Sequence, residues 1–472
     1  MTLDRRCFLK ALALTGAALP LQPLWMRQAL AQNVVGYPRL IGGPMVGAVG
    51  PDSARLWMRA TGRFPVAVRY GRTADLSDAR TCPVIDAVPD NDYVAKFTLD
   101  GLEPGTTYYY RPLVNEKPAK YLDTLPAFSF RTAPGTGQAA RFRIGFGSCA
   151  RWQEYPVQPI WTSLRLWKPD LFFWLGDNVY ADTLERSILS DFYKVQRKVP
   201  EFQPFGRSVP QLAIWDDHDF GLNNQTRENP VREDSYDIFR RFWVNPSYGT
   251  DDTKGVFFHY AYGGVDFFFL DTRYHRMPNA APDGPEKTML GKQQKAWLKE
   301  QLLASKAPFK VVISGSGWTY NPEAFGEDTW TSFRHERDEI FNFIRDEHVS
   351  GVILMSGDVH RAEANCIPRS EEGAYDLFEM VSSGLAQGTG MPDPVEVPEV
   401  RLREPFTGGH NAGIIDFDMT ADDPVVRFNV IDITGQTVWD HALEIRASQL
   451  RNGVASWRGK VDPELPNPRR ST

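Results

Sequence analysis

The sequence predicts a two-part molecule, in which a β-sandwich precedes a larger α/β domain, and three observations carry this prediction. Between residues 39 and 134, short runs alternate apolar and polar residues and are separated by turns rich in Gly and Pro, the pattern of a β-sandwich. From residue 141 to 445, continuous apolar runs alternate with longer amphipathic stretches, as buried strands and covering helices do in α/β domains. Nearly every apolar run ends in a cluster of polar residues, which is where α/β sheets bind their ligands.

Composition and charge exclude several classes of protein. The 472 residues carry 53 basic and 59 acidic side chains, a net charge of −6, and 42% of the residues are hydrophobic. A globular chain of this length forms roughly two or three domains. The acidic balance argues against a specific nucleic-acid-binding protein, which needs a basic surface. Four cysteines are too few for a disulfide scaffold.

Residues 1–31 are predicted to be an export signal. Arg5 and Arg6 precede an apolar stretch, and Ala29-Leu-Ala31 supplies the small residues of a cleavage site, which is the usual order of such a signal. The arginine pair resembles that of a twin-arginine signal. The twin-arginine export machinery is therefore a predicted partner, and the mature protein is predicted to be periplasmic or secreted. A transmembrane anchor is disfavoured, because two prolines interrupt an apolar stretch that is shorter than the roughly 20 residues of a span.

The β module begins with predicted strands near 54–59 and 66–70, where apolar and polar residues alternate. A turn at 101–105 then leads into a tyrosine-rich strand. The segment from Gly101 to Tyr108 resembles the corresponding part of fibronectin type III and immunoglobulin-like domains. The resemblance implies that Tyr108 is a corner tyrosine, whose hydroxyl hydrogen-bonds back across the turn.

The α/β domain contains six apolar runs that are predicted to be buried strands: 143–146, 171–175, 212–215, 267–270, 310–313 and 351–355. Three amphipathic stretches are predicted to be helices: 233–243, 290–304 and 334–347. Residues 446–472 are predicted to form a C-terminal tail.

Polar clusters follow the first two of these strands. Gly147-Ser-Cys149 offers a thiol, which is either a ligand for iron or zinc or a small buried core residue. Because Cys7 leaves with the export signal, an odd number of cysteines remains, and at least one thiol is then unpaired or bound to a metal. In Gly176-Asp-Asn-Val-Tyr180, the Asp177 carboxylate can bridge two cations and the Tyr180 phenolate favours Fe³⁺. The alternative is an Asp–Asn turn with a packed tyrosine.

Three further clusters follow later strands. Trp215-Asp-Asp-His-Asp219 gathers three carboxylates around His218, with no basic neighbour before Arg227, and such repulsion predicts cations or catalytic use. Asp358 and His360 are two residues apart, so on an extended chain they point the same way. Arg273, in Leu-Asp-Thr-Arg, either clamps an oxyanion bidentately or forms a structural pair with its neighbour Asp271.

The order of the clusters is more specific than any one of them. Gly-Asp-x-x-Tyr, then Asp-His-Asp, then a late Gly-x-x-His resembles the calcineurin-like metallophosphoesterases and, within them, the purple acid phosphatases. With Gly-Ser-Cys and Leu-Asp-Thr-Arg added, the set resembles the alkaline phosphatase D (PhoD-type) family over essentially the whole mature chain. The resemblance implies a four-layer αββα sandwich of two mixed sheets between helices.

The resemblance also implies one Fe³⁺ and one or two Ca²⁺ as cofactors. The implied iron ligands are Cys149, Asp177, Tyr180 and His360. Asp177 would bridge to calcium, whose other implied ligands are Asp217, Asp358 and an amide oxygen of Asn223, with Asn224 as the alternative. One departure is that segment 314–318, where purple acid phosphatases place a further histidine, contains none.

The predicted function is that of an exported, metal-dependent phosphoesterase. It would hydrolyse phosphate mono- or diesters of small molecules, lipids or polymers by in-line attack of a metal-bound hydroxide. His218 would stabilise the transition state or protonate the leaving group, and Arg273 would bind a phosphate oxygen. Two alternatives stay open: a phosphodiesterase or phospholipase D-like enzyme acting on lipid or polymer diesters, and a noncatalytic cell-surface binding protein. The intact metal motifs argue against the second.

Overall fold

A computed structural model describes residues 37–119, 121–319, 326–390 and 401–454. The predicted export signal lies outside the described residues, as does most of the predicted C-terminal tail. Among the described residues, no helix combines the length and the apolar character needed to cross a bilayer.

The N-terminal module is an all-β unit. Its strands are β1 (Leu40–Val49), β2 (Ser53–Ala60), β3 (Pro65–Gly71), β4 (Arg80–Thr81), β5 (Ile85–Asp86), β6 (Val94–Asp100), β7 (Thr107–Val114), β8 (Lys117–Pro118) and β9 (Phe128–Arg131). One antiparallel sheet has the order β1-β2-β6 and the other the order β4-β3-β7-β8, with β5 on β3 and β9 on β7. The Tyr108 hydroxyl accepts a hydrogen bond from the Glu103 amide at 3.0 Å, which confirms the predicted bond across the turn.

The second unit contains twelve strands among its described residues. They are β10 (Arg141–Gly147), β11 (Leu171–Leu175), β12 (Gln211–Ile214), β13 (Phe258–Tyr262), β14 (Val265–Phe269), β15 (Phe309–Ile313), β16 (Val352–Ser356), β17 (Ala362–Ile367), β18 (Leu377–Ser382), β19 (Asn411–Asp418), β20 (Val425–Asp432) and β21 (Leu443–Arg446). One mixed sheet has the order β12-β11-β10-β19-β20-β21, and the other β13-β14-β15-β16-β18-β17. All six strands predicted for this unit are confirmed, because each was a run of apolar residues buried on both faces.

Seven helices accompany these strands in the described part of the chain. They are α1 (Ile160–Trp167), α2 (Arg186–Gln196), α3 (Phe202–Gly206), α4 (Asp217–Phe220), α5 (Arg232–Phe242), α6 (Gly291–Ala304) and α7 (Arg334–Asp346). The three predicted helices correspond to α5, α6 and α7. The two sheets meet through aromatic rings, with Phe173 5.1 Å from Phe267 and 4.9 Å from Phe269 between ring centroids. The unit is therefore the predicted four-layer α/β sandwich.

The end of the described chain packs against this sandwich. Leu450 is buried, and its carbonyl accepts a hydrogen bond from the Gly351 amide at 2.7 Å. The packed part of the chain thus continues a few residues past residue 445, where the tail was predicted to begin.

The β module contacts the second unit at the C-terminal end of α5. The Trp57 indole N–H donates to the Arg241 carbonyl at 3.0 Å, and the Lys96 ammonium donates to the Trp243 carbonyl at 3.0 Å. Asp92 pairs with Arg241 at 2.6 Å and with Lys194 of α2 at 2.8 Å. We call these contacts the module seam. They supply partners for backbone carbonyls that the end of a helix leaves unpaired.

Candidate metal centre

Four side chains from the ends of β10, β11 and β16 converge at one edge of the sandwich. The Tyr180 hydroxyl donates to Asp177 Oδ2 at 3.0 Å and lies 3.1 Å from His360 Nε2. Cys149 Sγ lies 3.5 Å from Asp177 Oδ2, and one ligand atom from each of Cys149, Asp177 and His360 falls within 4.8 Å of the others. Thiol, carboxyl, phenol and imidazole are thus brought together as one donor set.

Asp177 also belongs to a second group. Its carboxylate, that of Asp217 and the imidazole of His218 offer ligand atoms within 4.8 Å of one another. Asp177 therefore lies between two clusters that could each hold an ion, which is the arrangement expected of a bridging carboxylate.

The backbone is unusual at these positions. Cys149 (φ 61°), Asp177 (φ 50°), Asp358 (φ 71°) and His360 (φ 55°) all adopt left-handed conformations, which non-glycine residues seldom occupy. Each costs of order 1–3 kcal/mol, and such residues concentrate at functional sites. Glycine adopts this conformation without strain but has no side chain. The strain is therefore accepted at these four positions because each must place a thiol, a carboxylate or an imidazole at the centre.

Several buried oxygens of the centre have no hydrogen-bond partner in the described part of the chain. They are Asp177 Oδ1, Asn178 Oδ1, Asp216 Oδ2 and Asp217 Oδ1. Burial raises the pKa of Asp177 well above its ordinary value, and the nearby charges of Cys149 and Asp217 raise it further. Burial likewise raises the pKa of Asp358, as do the charges of Asp216 and Asp217. Unpartnered carboxylate oxygens that repel one another fit bound cations, which would supply the missing partners.

Asp219 connects the two loops of the centre. Its carboxylate accepts the Asn178 amide at 3.1 and 3.0 Å, the Asp216 amide at 3.1 Å and the Tyr193 hydroxyl at 2.8 Å. It therefore fixes the loop after β11 against the turn that begins α4. This third acid of the Asp-Asp-His-Asp motif orients the backbone around Asp177 and Asp217.

His218 lies at the opening of the centre. Its Nδ1 contacts Asp182, its Nε2 lies 4.0 Å from Asp217 Oδ2, and its ring stacks 4.1 Å from that of Tyr180. Burial lowers the pKa of His218, but the hydrogen bond with Asp182 and the charges of Asp217 and Asp182 outweigh it and raise the pKa to about 8. The side chain is 14% exposed, so it can reach a substrate.

Comparison with known proteins agrees with this geometry. A family model described as PhoD-like phosphatase matches residues 144–422, and one described as PhoD-like phosphatase, N-terminal domain, matches residues 27–134. The chain belongs to the PhoD-like phosphatase family. It is 27% identical over 466 residues to alkaline phosphatase D of Bacillus subtilis (strain 168), covering 84% of this chain and 76% of that protein.

Two solved structures resemble this PhoD-like phosphatase. The structure of PhoD matches with a TM-score of 0.71 at 20% identity, over 86% of this chain and 92% of the other. A purple acid phosphatase from yellow lupin (Lupinus luteus) seeds matches with a TM-score of 0.59 at 13% identity, over 87% and 74%. These likenesses show a metallophosphoesterase fold, and the family makes the protein a hydrolase of phosphoric esters.

Arg273 does not have the surroundings predicted for a phosphate ligand. Its side chain is fully buried; Nε pairs with Asp216, and the two terminal nitrogens pair with Asp328. The alternative pairing with Asp271 is limited to the Arg273 backbone amide, at 2.9 Å. A guanidinium whose three nitrogens face carboxylates inside the protein has no free edge for a substrate, so in this phosphatase its position favours a structural role behind Asp217.

The structure does not bring all of the predicted calcium ligands into the centre. Asn223 and Asn224 are both exposed, and the Asn224 amide, rather than its side chain, donates to Asp217 Oδ2 at 2.7 Å. Asp358 is half-buried beside the centre, but it belongs to none of the three acidic groups whose ligand atoms fall within 4.8 Å among the described residues.

Asp182 and Asp328 were not predicted to have individual roles, and Asp216 was predicted only as one of the three carboxylates around His218. Asp182 lies in the same loop as Asp177 and Tyr180, so its polarity was an available signal. Asp328 follows no recognisable pattern and meets Arg273 only through the fold. Segment 314–318 is where purple acid phosphatases place a further histidine. A β-carbon added to Gly315 in this segment would lie 2.9 Å from the Asp216 carboxylate, so Asp216 occupies the space beside this segment.

Proposed function

We propose that this PhoD-like phosphatase is a metal-dependent enzyme that holds one Fe³⁺ and one or two Ca²⁺. Cys149, Asp177, Tyr180 and His360 would hold the iron, because thiolate, phenolate and imidazole suit a transition metal. Asp177, Asp217 and Asp358 would hold calcium, which prefers carboxylate oxygens. The observation that carries the proposal is the set of buried carboxylate oxygens without partners beside these donors.

Such ions, when bound, would supply Lewis acidity that polarises phosphate oxygens and lowers the pKa of water. The protein's own side chains would divide the remaining work. Asp177 would present one carboxylate to both sides of the centre, and Asp219 would hold its loop in place. His218, oriented by Asp182 through Nδ1, would use Nε2–H to stabilise the phosphoryl oxygens or to protonate the leaving alkoxide.

Export is part of the proposal and is supported by the sequence of residues 1–31. The mature protein would act in the periplasm or outside the cell after passage through the twin-arginine machinery. Replacing Arg5 and Arg6 together by lysine should keep the protein in the cytoplasm. Unchanged export of that variant would contradict the twin-arginine route.

Elemental analysis and chelation test the metal assignment. Purified exported protein should contain iron and calcium and show a visible charge-transfer band from Fe³⁺ bound by Tyr180 or Cys149. Prolonged chelation should abolish hydrolysis of p-nitrophenyl phosphate, and Ca²⁺ should restore it. A colourless protein containing zinc would overturn the iron assignment, and activity that survives chelation would overturn the calcium assignment. Rates on mono- and diesters, measured side by side, would define the substrate class.

A further inference from the structure

The arginines described so far do not offer a positive charge that a substrate can reach. Arg273 and Arg276 are both fully buried, and both pair with Asp328. They offset the carboxylates from behind and present no free edge to the opening. Besides the ions proposed for the centre, a cationic side chain closer to solvent would attract a phosphate ester past the carboxylates.

Arg151 is at the opening. It follows Cys149 by two residues, and its guanidinium carbon lies 5.4 Å from the centroid of the Tyr180 ring. The Tyr180 hydroxyl in turn contacts Asp177 and His360. The Arg151 side chain is 34% exposed, so one part of it faces the centre and another part faces solvent.

The backbone of Arg151 is fixed, whereas its side chain is only weakly paired. Its amide donates to the Ala386 carbonyl at 2.8 Å, and its carbonyl accepts the Tyr155 amide at 2.9 Å. Its Nε is buried without a hydrogen-bond partner. Its terminal nitrogen pairs at 3.1 Å with Glu154, which is 50% exposed, and an ion pair this exposed contributes little. The guanidinium can therefore exchange Glu154 for a stronger anion.

We propose that Arg151 binds the phosphate group of the substrate at the opening of the centre and favours a dianionic monoester over a monoanionic diester. A guanidinium presents parallel N–H groups that match two phosphate oxygens, and its attraction increases with the charge of the anion. The inference deepens the proposed function and rests on it, because it names a substrate-binding residue for the same centre.

Arg151→Gln tests the inference in the metal-loaded, full-length mature enzyme. We expect kcat/KM for p-nitrophenyl phosphate to fall about 10–100-fold, mostly through KM. The loss for bis(p-nitrophenyl) phosphate should be several-fold smaller, and inhibition by inorganic phosphate should weaken in parallel with the monoester loss. Arg151→Lys should recover part of the monoester activity. Arg165→Gln, on the exposed side of α1, removes the same charge elsewhere and should change neither substrate.

Other outcomes are distinguishable. If Arg151 only supports the Tyr180 ring, both substrates should lose kcat equally and the visible band should shift, which would overturn the inference. Unchanged kinetics of Arg151→Gln would overturn it as well. A failure of the metal assignment would appear instead in the wild-type enzyme, as activity insensitive to chelation, and would leave the ratio between the two substrates interpretable.

Discussion

The module seam and the metal centre both bury charged groups, but they satisfy them in opposite ways. At the seam, Lys96 is held by backbone carbonyls, and Asp92 pairs with two cations. At the centre, buried carboxylate oxygens of Asp177 and Asp217 have no hydrogen-bond partner among the described residues. The described residues therefore satisfy the seam, whereas at the centre the proposed cations would supply the missing partners.

The same contrast extends to the backbone. The module seam draws on strands β2 and β6 and on the end of helix α5, and Asp92 (φ 52°) is the one left-handed residue among those named for it. At the centre, Cys149, Asp177, Asp358 and His360 are all left-handed. Backbone strain is thus more concentrated at the centre than at the seam, as expected of a site built for chemistry. Changes at the seam should consequently alter stability, and changes at the centre should alter activity.

Asp177→Asn should have the largest effect on activity. Loss of the shared carboxylate should reduce turnover of p-nitrophenyl phosphate by more than about 100-fold, because even outer residues of metal sites contribute 10–100-fold. The metal-free variant should unfold at the same temperature as the wild type or above it, since a buried charge near Cys149 and Asp217 has been removed. Asp251→Asn, on an exposed turn, is the matched control. Near-normal turnover of Asp177→Asn would exclude a bridging role.

Trp57→Ala, at the seam, should lower the stability of the protein and leave its activity unchanged. Trp57 is fully buried, contacts the Phe242 ring at 5.8 Å and donates to the Arg241 carbonyl. We expect the free energy of unfolding to fall by about 3–5 kcal/mol, with turnover per folded molecule and metal content unchanged. Urea denaturation measures the free energy of unfolding, and elemental analysis measures the metal content. Trp57→Phe, which loses the N–H but keeps most of the volume, should cost about 1–2 kcal/mol. Lost metal in Trp57→Ala would show that the two regions are coupled.

Local sequence offered candidate residues for the metal centre but none for the module seam. Cys149 and Asp177 could be proposed because they follow the parallel neighbours β10 and β11, whose carboxyl ends meet at one edge. His360 could be proposed because it follows an apolar strand, β16, although that strand belongs to the other sheet. The pairing of Arg273 with Asp328 could not, since 55 residues separate them and no periodicity relates them. The position of Asn223 was equally inaccessible, because the loop after α4 could turn its amide inward or outward. The module seam, made of residues far apart in the chain, left no local signal at all.

At pH 7 and below, Lys96→Met should have the smallest effect of the three changes, and its pH dependence above pH 7 distinguishes the seam from the centre. Burial, and after it the charges of Arg240, Arg55 and Arg241, lower the pKa of Lys96 from 10.5 to about 7. Between these values the unfolded chain binds a proton that the folded chain does not. The wild type should therefore gain stability relative to Lys96→Met by at most about 1.4 kcal/mol per pH unit as pH rises from 7 towards 10. Below pH 7 the difference should be constant. Lys292→Met, at an exposed position of α6, is the control and should show no such slope. If the stability difference for Lys96→Met is also flat across this range, Lys96 stays protonated in the folded protein, as an ordinary surface lysine does.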